Sequence, residues 1–240
     1  MSKKIIITGA TSGIGKELAL QYASRGCKVG LIGRRTDKLE ELKAEIGDNA
    51  YIETLDVTDL EKAKNVYEDL AEKMGGIDIF ILNAGVGIAK TIAPWRADRN
   101  TIEVNVLAFA HGCHFAFDYF MKQGHGQIVG MSSVASHIAV HAAAAYTASK
   151  HFISNYMTGF RQKAKRVDAN ITVTDIRPGF VKSEMTARNR NMFWVADTNK
   201  AVRQMITAID KKKNRVYITK RWRLVALVAK LTPQFVWDRL

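Results

Sequence analysis

The sequence predicts an α/β protein in three α/β/α layers, a doubly wound parallel sheet with helices on both faces. Three observations carry that expectation. Short apolar runs recur at regular spacing, stretches with helical periodicity separate them, and the first run leads straight into a glycine-rich turn. In chain order the apolar runs predict strands over 5–8, 28–32, 50–55, 77–82, 127–131 and 171–176. Several are apolar at consecutive positions, as in Ile5-Ile6-Ile7, which suits a strand covered on both faces. Helices are predicted over 14–25, 37–46, 59–74, 100–122 and 146–166. In the first, Ile14, Leu18 and Tyr22 recur every four residues and share one buried face. Strand and helix in alternation make βαβ units, whose strands pair in parallel.

Composition bounds the rest. With 240 residues, 47% of them hydrophobic and only 3 prolines, the chain can bury a core without staples. No repeat or linker interrupts it before about residue 210. One domain is therefore expected over 1–210, including a short lid at 184–199, with a basic amphipathic appendage at 211–240. Cys27 and Cys113 are too few for a disulfide framework and fit a reducing, cytoplasmic setting. The opening Met-Ser-Lys-Lys lacks a signal-peptide stretch, and the longest uncharged apolar run, 224–229, is far too short to span a bilayer. Net charge is +13, which raises nucleic acid as a partner. The excess is local, however: residues 200–240 hold 11 basic residues against 2 acidic ones. No helix-turn-helix or aromatic RNA-binding motif accompanies it, so no nucleic-acid partner is expected.

The first predicted strand runs into Thr8-Gly9-Ala10-Thr11-Ser12-Gly13-Ile14-Gly15 and then a helix. Glycines permit a tight turn and let backbone N–H groups approach a pyrophosphate at a helix N-terminus, whereas a bare glycine turn would need no helix behind it. An acidic residue at the end of the second strand would bind the ribose 2′-hydroxyl of NAD. Here that place reads Gly33-Arg34-Arg35, with no carboxylate to repel a 2′-phosphate and two guanidiniums to grip one. NADP(H) is the expected cofactor. Asp56-Val57 is placed to meet the adenine, and Asn83-Ala84-Gly85 to let the cofactor pass close to the backbone. Both segments end predicted strands, where open α/β sheets bind their ligands.

Tyr146 and Lys150 stand one helical turn apart on one face. A phenol, with an unperturbed pKa near ~10, becomes a useful acid–base group at neutral pH when a neighbouring cation favours its phenolate. Thirteen residues upstream of Tyr146, Ser133 ends a strand. Together with the glycine turn, Asn83-Ala84-Gly85, Asn105 and Pro178-Gly179, this ordered set resembles the short-chain dehydrogenase/reductase family in its single-domain, Rossmann-fold form, over about residues 3–186. The resemblance implies a nicotinamide-dependent carbonyl–alcohol oxidoreductase. It implies Tyr146 as proton donor or acceptor, Lys150 as ribose ligand that lowers the tyrosine pKa, Ser133 as holder of the substrate oxygen, and Asn105 as anchor of a relay water. Pro178, Gly179, Val181 and Ser183 resemble the segment that cradles nicotinamide, Val181 through its backbone and Ser183 with serine where threonine is usual. Two departures stand out. Leu82 replaces a frequent asparagine, and Ser12 sits where some NADP-binding members carry a basic residue, so the cofactor expectation rests on Arg34 and Arg35.

Other groupings carry less. His111-Gly112-Cys113-His114 lies within a predicted helix and makes no complete metal site, so core packing is expected and no metal. His137 and His141 line either the pocket or a polar loop. A serine hydrolase would need a Gly-x-Ser-x-Gly elbow, and Ser132-Ser133 lacks it. In the lid, Met185, Met192, Phe193 and Trp194 fit a hydrophobic substrate (a 3-oxoacyl, ketosteroid-like or other lipophilic carbonyl) or the packing of a short helix. In the tail 220–240, Arg223 and Lys230 share a face while Trp222, Leu224, Val225, Val228 and Leu231 spread apolar surface elsewhere. That pattern fits an amphipathic segment on the inner face of an anionic membrane, or a subunit contact. The family resemblance implies a homo-dimer or homo-tetramer through 100–122 and 146–166. A catalytically idle dinucleotide sensor or scaffold acting through the basic tail is the alternative to an NADPH-dependent reductase.

Overall fold

The computed structural model describes residues 2–87, 90–186, 192–237 and 239. Seven strands form one sheet: β1 (Lys4–Thr8), β2 (Lys28–Gly33), β3 (Ala50–Thr54), β4 (Ile79–Leu82), β5 (Gly126–Met131), β6 (Ile171–Pro178) and β7 (Arg215–Ile218). Their order is β3-β2-β1-β4-β5-β6-β7, and every pairing is parallel. Ile6 lies between Gly30 of β2 and Phe80 of β4. Chain order runs outward one way from β1 and the other way from β4, so their carboxyl ends open onto a crevice. This is the three-layer, doubly wound Rossmann arrangement the apolar runs predict.

Successive residues of a strand point to opposite faces, and β1 shows the consequence. Ile5 and Ile7 join a core with α1 (Gly13–Ala23), α2 (Thr36–Ile46) and α7 (Thr198–Asp210), through Leu18, Leu39 and Met205. Ile6 turns the other way, to α3 (Leu60–Met74), α5 (Phe109–Gln123) and α6 (Ala144–Arg166), through Tyr67, Phe120 and Met157. Consecutive isoleucines therefore serve two cores.

The structure departs from the expected elements in three places. The helix expected over 100–122 is α4 (Trp95–Ile102), a π-helical turn (Glu103–Ala108) and α5. The wider turn carries Asn105, which is fully buried. Residues 198–210 form α7, whose Ala201, Val202, Met205, Ile206 and Ile209 keep helical spacing behind the N-cap Asp197, a helix not among those expected. Most consequential is the tail. The appendage expected from residue 211 contains β7, which pairs with β6 from Asp175 to Pro178. Four residues behind a lysine run are too short and too basic to read as a strand.

After β7 come α8 (Trp222–Leu231) and the short α9 (Gln234–Trp237). Trp222, expected at a membrane or subunit surface, is 4% exposed and packs against the body. Its ring occupies the space a side chain at Gly179 would need, 2.0 Å from an ideal Cβ there. Among the described residues no helix is long and apolar enough to cross a membrane. If the tail is part of the folded unit, Trp222→Ala should lower the free energy of unfolding by about 3–5 kcal/mol, as for a buried aromatic. Urea denaturation measures this, and an unchanged midpoint would mean that the tail is dispensable to the fold.

Candidate active site

The glycine turn is shaped by contacts that no side chain would allow. Gly9 has φ 68° and Gly13 φ 54°, both in the left-handed region. A Cβ on Gly15 would stand 2.1 Å from the Gly9 carbonyl oxygen, so α1 can begin only this close to β1 with glycine there. Ser12, the N-cap, places no side-chain hydrogen bond on the first turn of α1, leaving those N–H groups for a ligand. Asn83 braces the turn from β4, its amide donating to the carbonyls of Thr8 and Gly9 at 3.1 Å each. Thr8 Oγ1 in turn accepts from the N–H groups of Asn83 and Ala84, both at 3.1 Å.

Around this turn opens a cleft of about 480 Å³. It is lined by Gly9, Thr11, Ser12, Gly13, Ile14, Arg34, Arg35, Asp56, Val57, Asn83, Ala84, Gly85, Ser133, Tyr146, Lys150, Pro178, Gly179, Val181 and Ser183. Gly15, behind the turn, and Asn105, beneath Gly85, are the two expected site residues outside its lining. Arg34 reaches Asp56 at 3.6 Å. Arg35 donates to Thr11 Oγ1 at 3.0 and 3.2 Å and meets Glu184 at 3.1 Å. Both guanidiniums are solvent-accessible at the end of β2, and each is paired with a carboxylate. On the far wall Ser183 comes within 3.2 Å of where a Gly13 Cβ would be, so the 178–183 segment closes on the turn. Part of the expected lid, 187–191, lies outside the described residues, as do Ile88 and Ala89.

At the other end of the cleft stand Ser133, Tyr146 and Lys150. Tyr146 enters on the first turn of α6, and its ring lies so close to Gly87 that a Cβ there would be 2.4 Å from Cδ2. Burial pushes the phenol above its ordinary pKa, and the nearby Ser133 hydroxyl, which donates to the Pro178 carbonyl at 3.3 Å and accepts from the Ala135 N–H at 3.1 Å, offsets part of that rise. Lys150, one turn along, is 6% exposed and donates to the Met131 carbonyl at 2.9 Å. Its Nζ lies 5.6 Å from the Tyr146 ring centroid. Burial lowers the ammonium to about 8, against the carboxylate of Asp175, which favours the charged form. The expected lowering of the tyrosine by Lys150 does not appear in the free chain, where burial raises the phenol and Ser133 is the influence opposing it.

The Asn105 side chain donates to the Val86 carbonyl at 2.8 Å and to Ser149 Oγ at 3.0 Å, and accepts from the Val86 N–H at 2.8 Å. That amide ties the 85–87 segment to α6. Gly85 lies between: a Cβ there would be 3.4 Å from Asn105 Oδ1 and 3.6 Å from Lys150 Nζ.

Beneath the site lies a network absent from the sequence reading. Arg177, 2% exposed, donates from Nε to Asp175 at 2.7 Å, and Asp175 is fully buried. Asp175 also accepts from Ser132 Oγ, beside Ser133, and from Ser154 Oγ of α6 at 3.3 Å. Arg177 Nη1 reaches His137 Nε2 at 2.6 Å and Tyr217 of β7 at 3.1 Å. Burial, and then the Arg177 guanidinium, bring His137 down to about 4, so the ring is neutral and accepts from the arginine. His137 therefore belongs to the support of the Ser133 turn. Cys113 is fully buried and His114 packs edge-on to Phe160 at 5.3 Å, within the α5–α6 core.

Comparison with known proteins gives a consistent picture. A family model described as short chain dehydrogenase matches residues 3–194. An uncharacterized oxidoreductase of Mycobacterium tuberculosis is 35% identical over 224 residues, 90% of this chain and 88% of that protein. A Burkholderia phymatum short chain dehydrogenase/reductase, solved in complex with NAD, superposes with a TM-score of 0.87 at 18% identity, over 95% of this chain and 92% of that one. A serine dehydrogenase solved in a closed form with NADP+ gives 0.80 at 24% identity, over 90% and 93%. At such identities the solved structures speak for the fold, and their cofactors differ.

The floor beneath Tyr146 generates a test. Gly87→Ala should displace the phenol ring while leaving the core intact. If the phenol takes part in the reaction, turnover on any reducible substrate should fall by at least about tenfold, ~1.4 kcal/mol on the barrier, with the urea midpoint unchanged. Equal turnover would show that the ring has room elsewhere.

Proposed function

The chain belongs to the short-chain dehydrogenase family, and on that premise we propose that it is an NADPH-dependent reductase of a lipophilic carbonyl compound. The observation that carries the reading is one cleft whose first half is a glycine turn at a helix N-terminus and whose second half holds Ser133, Tyr146 and Lys150. The glycine turn, Arg34, Arg35, Asp56, Val57, Asn83 to Gly85, Lys150 and the 178–183 segment would hold the dinucleotide. NADPH bound there supplies the hydride that reduces the carbonyl carbon.

The chain's own residues do the remaining work. Ser133 holds the carbonyl oxygen through its hydroxyl, and the Tyr146 phenol gives that oxygen its proton. A phenolate left in a buried site is costly, and the Lys150 ammonium is the charge that favours it. Asn105 keeps the 85–87 floor against α6, and its committed side chain leaves its main chain to anchor a relay water. Asp175 and Arg177 hold the Ser132-Ser133 turn at its distance from α6. The lid residues Met185, Phe193 and Trp194, all substantially exposed, support a hydrophobic substrate. Stacked aromatic pairs along α5 and α6, Phe115 with Tyr119 and Phe152 with Tyr156, support a homo-oligomer through those helices.

NADPH rather than NADH is supported by two guanidiniums at the end of β2 and by the absence of a carboxylate at positions 34 and 35. A charge-assisted contact to phosphate is worth roughly 1.5–3 kcal/mol, less where solvent screens it. Arg34→Ala with Arg35→Ala should weaken NADPH binding about tenfold or more by calorimetry and leave NADH nearly unchanged. Equal losses would assign the arginines a structural role.

Tyr146→Phe tests the chemistry. The variant should bind NADPH as the parent does and lose turnover across a panel of aldehydes, diketones, 3-oxoacyl thioesters and ketosteroids. Undiminished turnover on any of these would remove Tyr146 as proton donor. A parent chain that binds NADPH and reduces none of them would favour a dinucleotide sensor or scaffold instead.

A further inference from the structure

α8 carries two apolar stripes on opposite sides. Trp222, Ala226 and Ala229 are spaced as one helical face and are buried against the body. Leu224, Leu227, Val228 and Leu231 occupy the other side and are between 54% and 73% exposed. Phe235, just beyond, continues the outward apolar surface at 61% exposed. A helix that packs on a protein by one face ordinarily turns polar residues outward, and this one turns leucines. Arg223 and Lys230, seven residues apart, share the flank between the stripes and are both exposed.

Charge decides between occupants. From Lys220 to Leu231, the stretch that forms α8 and its entry, the sequence has 4 basic residues and no acidic one. Two copies joined through this face would bring like charges together with almost no acid to answer them. A layer of anionic headgroups answers all of them, while the leucines and Phe235 enter the acyl boundary.

The same helix borders the site. Trp222 packs against Phe180, Phe193 and Trp194, with ring centroids 5.5, 5.0 and 5.9 Å away. Arg221 donates to the Trp194 carbonyl at 2.9 Å. Phe193, Trp194 and Val195 are themselves 53%, 43% and 40% exposed, so the segment that packs on Trp222 of α8 carries exposed apolar side chains of its own.

The geometry points to α8 and Phe235 as a docking surface for an anionic bilayer, which turns the mouth of the cleft toward lipid and makes the substrate class an apolar carbonyl compound drawn from the membrane. The docking half is independent of the reductase reading, and the substrate half rests on it.

Sedimentation of the full chain with vesicles tests the first half with neither cofactor nor substrate present. The chain should bind vesicles of equal parts phosphatidylcholine and phosphatidylglycerol, more weakly as salt rises, and pure phosphatidylcholine far less. Leu227→Asp with Leu231→Asp should weaken binding by about a hundredfold, each leucine contributing roughly tenfold. Arg223→Glu with Lys230→Glu, a second exposed pair, should weaken it about tenfold and flatten its salt dependence. Three outcomes overturn the docking half: no sedimentation with the mixed vesicles at low salt, unchanged binding of the leucine pair, or a mass by light scattering that halves in the leucine pair without vesicle binding. The last would assign the face to a second copy. For the substrate half, the leucine pair should lose kcat/KM on a long-chain carbonyl embedded in those vesicles and keep it on a water-soluble one. Equal values on both substrates would overturn that half alone.

Discussion

Burying an ammonium costs free energy unless neighbouring groups prefer it charged, and Lys150 is buried to 6% exposure on a helix that also carries Tyr146. Among the described residues its one hydrogen bond goes to the Met131 carbonyl. The nearby charge that favours its ionised form is Asp175, itself wholly buried and therefore in need of partners. Arg177, Ser132 and Ser154 supply them. Requirements then propagate outward. Arg177 must in turn be satisfied, and His137 and Tyr217 do so from the turn after Ser133 and from the last strand. A charge needed beside the phenol thus fixes the ends of β5, β6 and β7 and the entry of α6.

A buried pair of this kind is poor evidence for net stability, because desolvation offsets most of the attraction. Removing one partner is another matter, since it strands the other charge. Such a network gives position rather than energy. It holds Ser132 against β6 through a side chain, and Ser133, next in sequence, is held to the end of the same strand by its hydroxyl, which donates to the Pro178 carbonyl. The aromatic cluster around Trp222 does the same for the opposite wall, pinning the 178–183 segment through Gly179.

How far the sequence reveals this depends on the range of each interaction. β1, β4 and β5 were legible because strands covered on both faces are apolar at consecutive positions, and the glycine turn because its glycines lie between a strand and a helix. Tyr146 and Lys150 were legible as an i, i+4 pair. β7 was not, for a strand of four residues after Lys211-Lys212-Lys213 presents charge where periodicity was sought. Gly87 and Gly179 matter because of rings 59 and 43 residues further along the sequence, and nothing local marks them. Asp175 and Arg177 sit in a strand reading Ile-Thr-Val-Thr-Asp-Ile-Arg-Pro, and two opposite charges two apart in a central strand were a signal of a buried pair that passed unused.

The protonation of Lys150 is where these dependencies meet, and it can be observed directly. Chain labelled with 13C and 15N at lysine Cε and Nζ, with the resonance assigned by its loss in Lys150→Arg, can be titrated by NMR without cofactor. The expected midpoint is about 8, well below the ordinary lysine value of 10.5. Asp175→Asn should lower it further, because the carboxylate favours the charged form. A midpoint at the ordinary value, unmoved by that substitution, would contradict the claim that a buried, Asp175-supported ammonium organises the site.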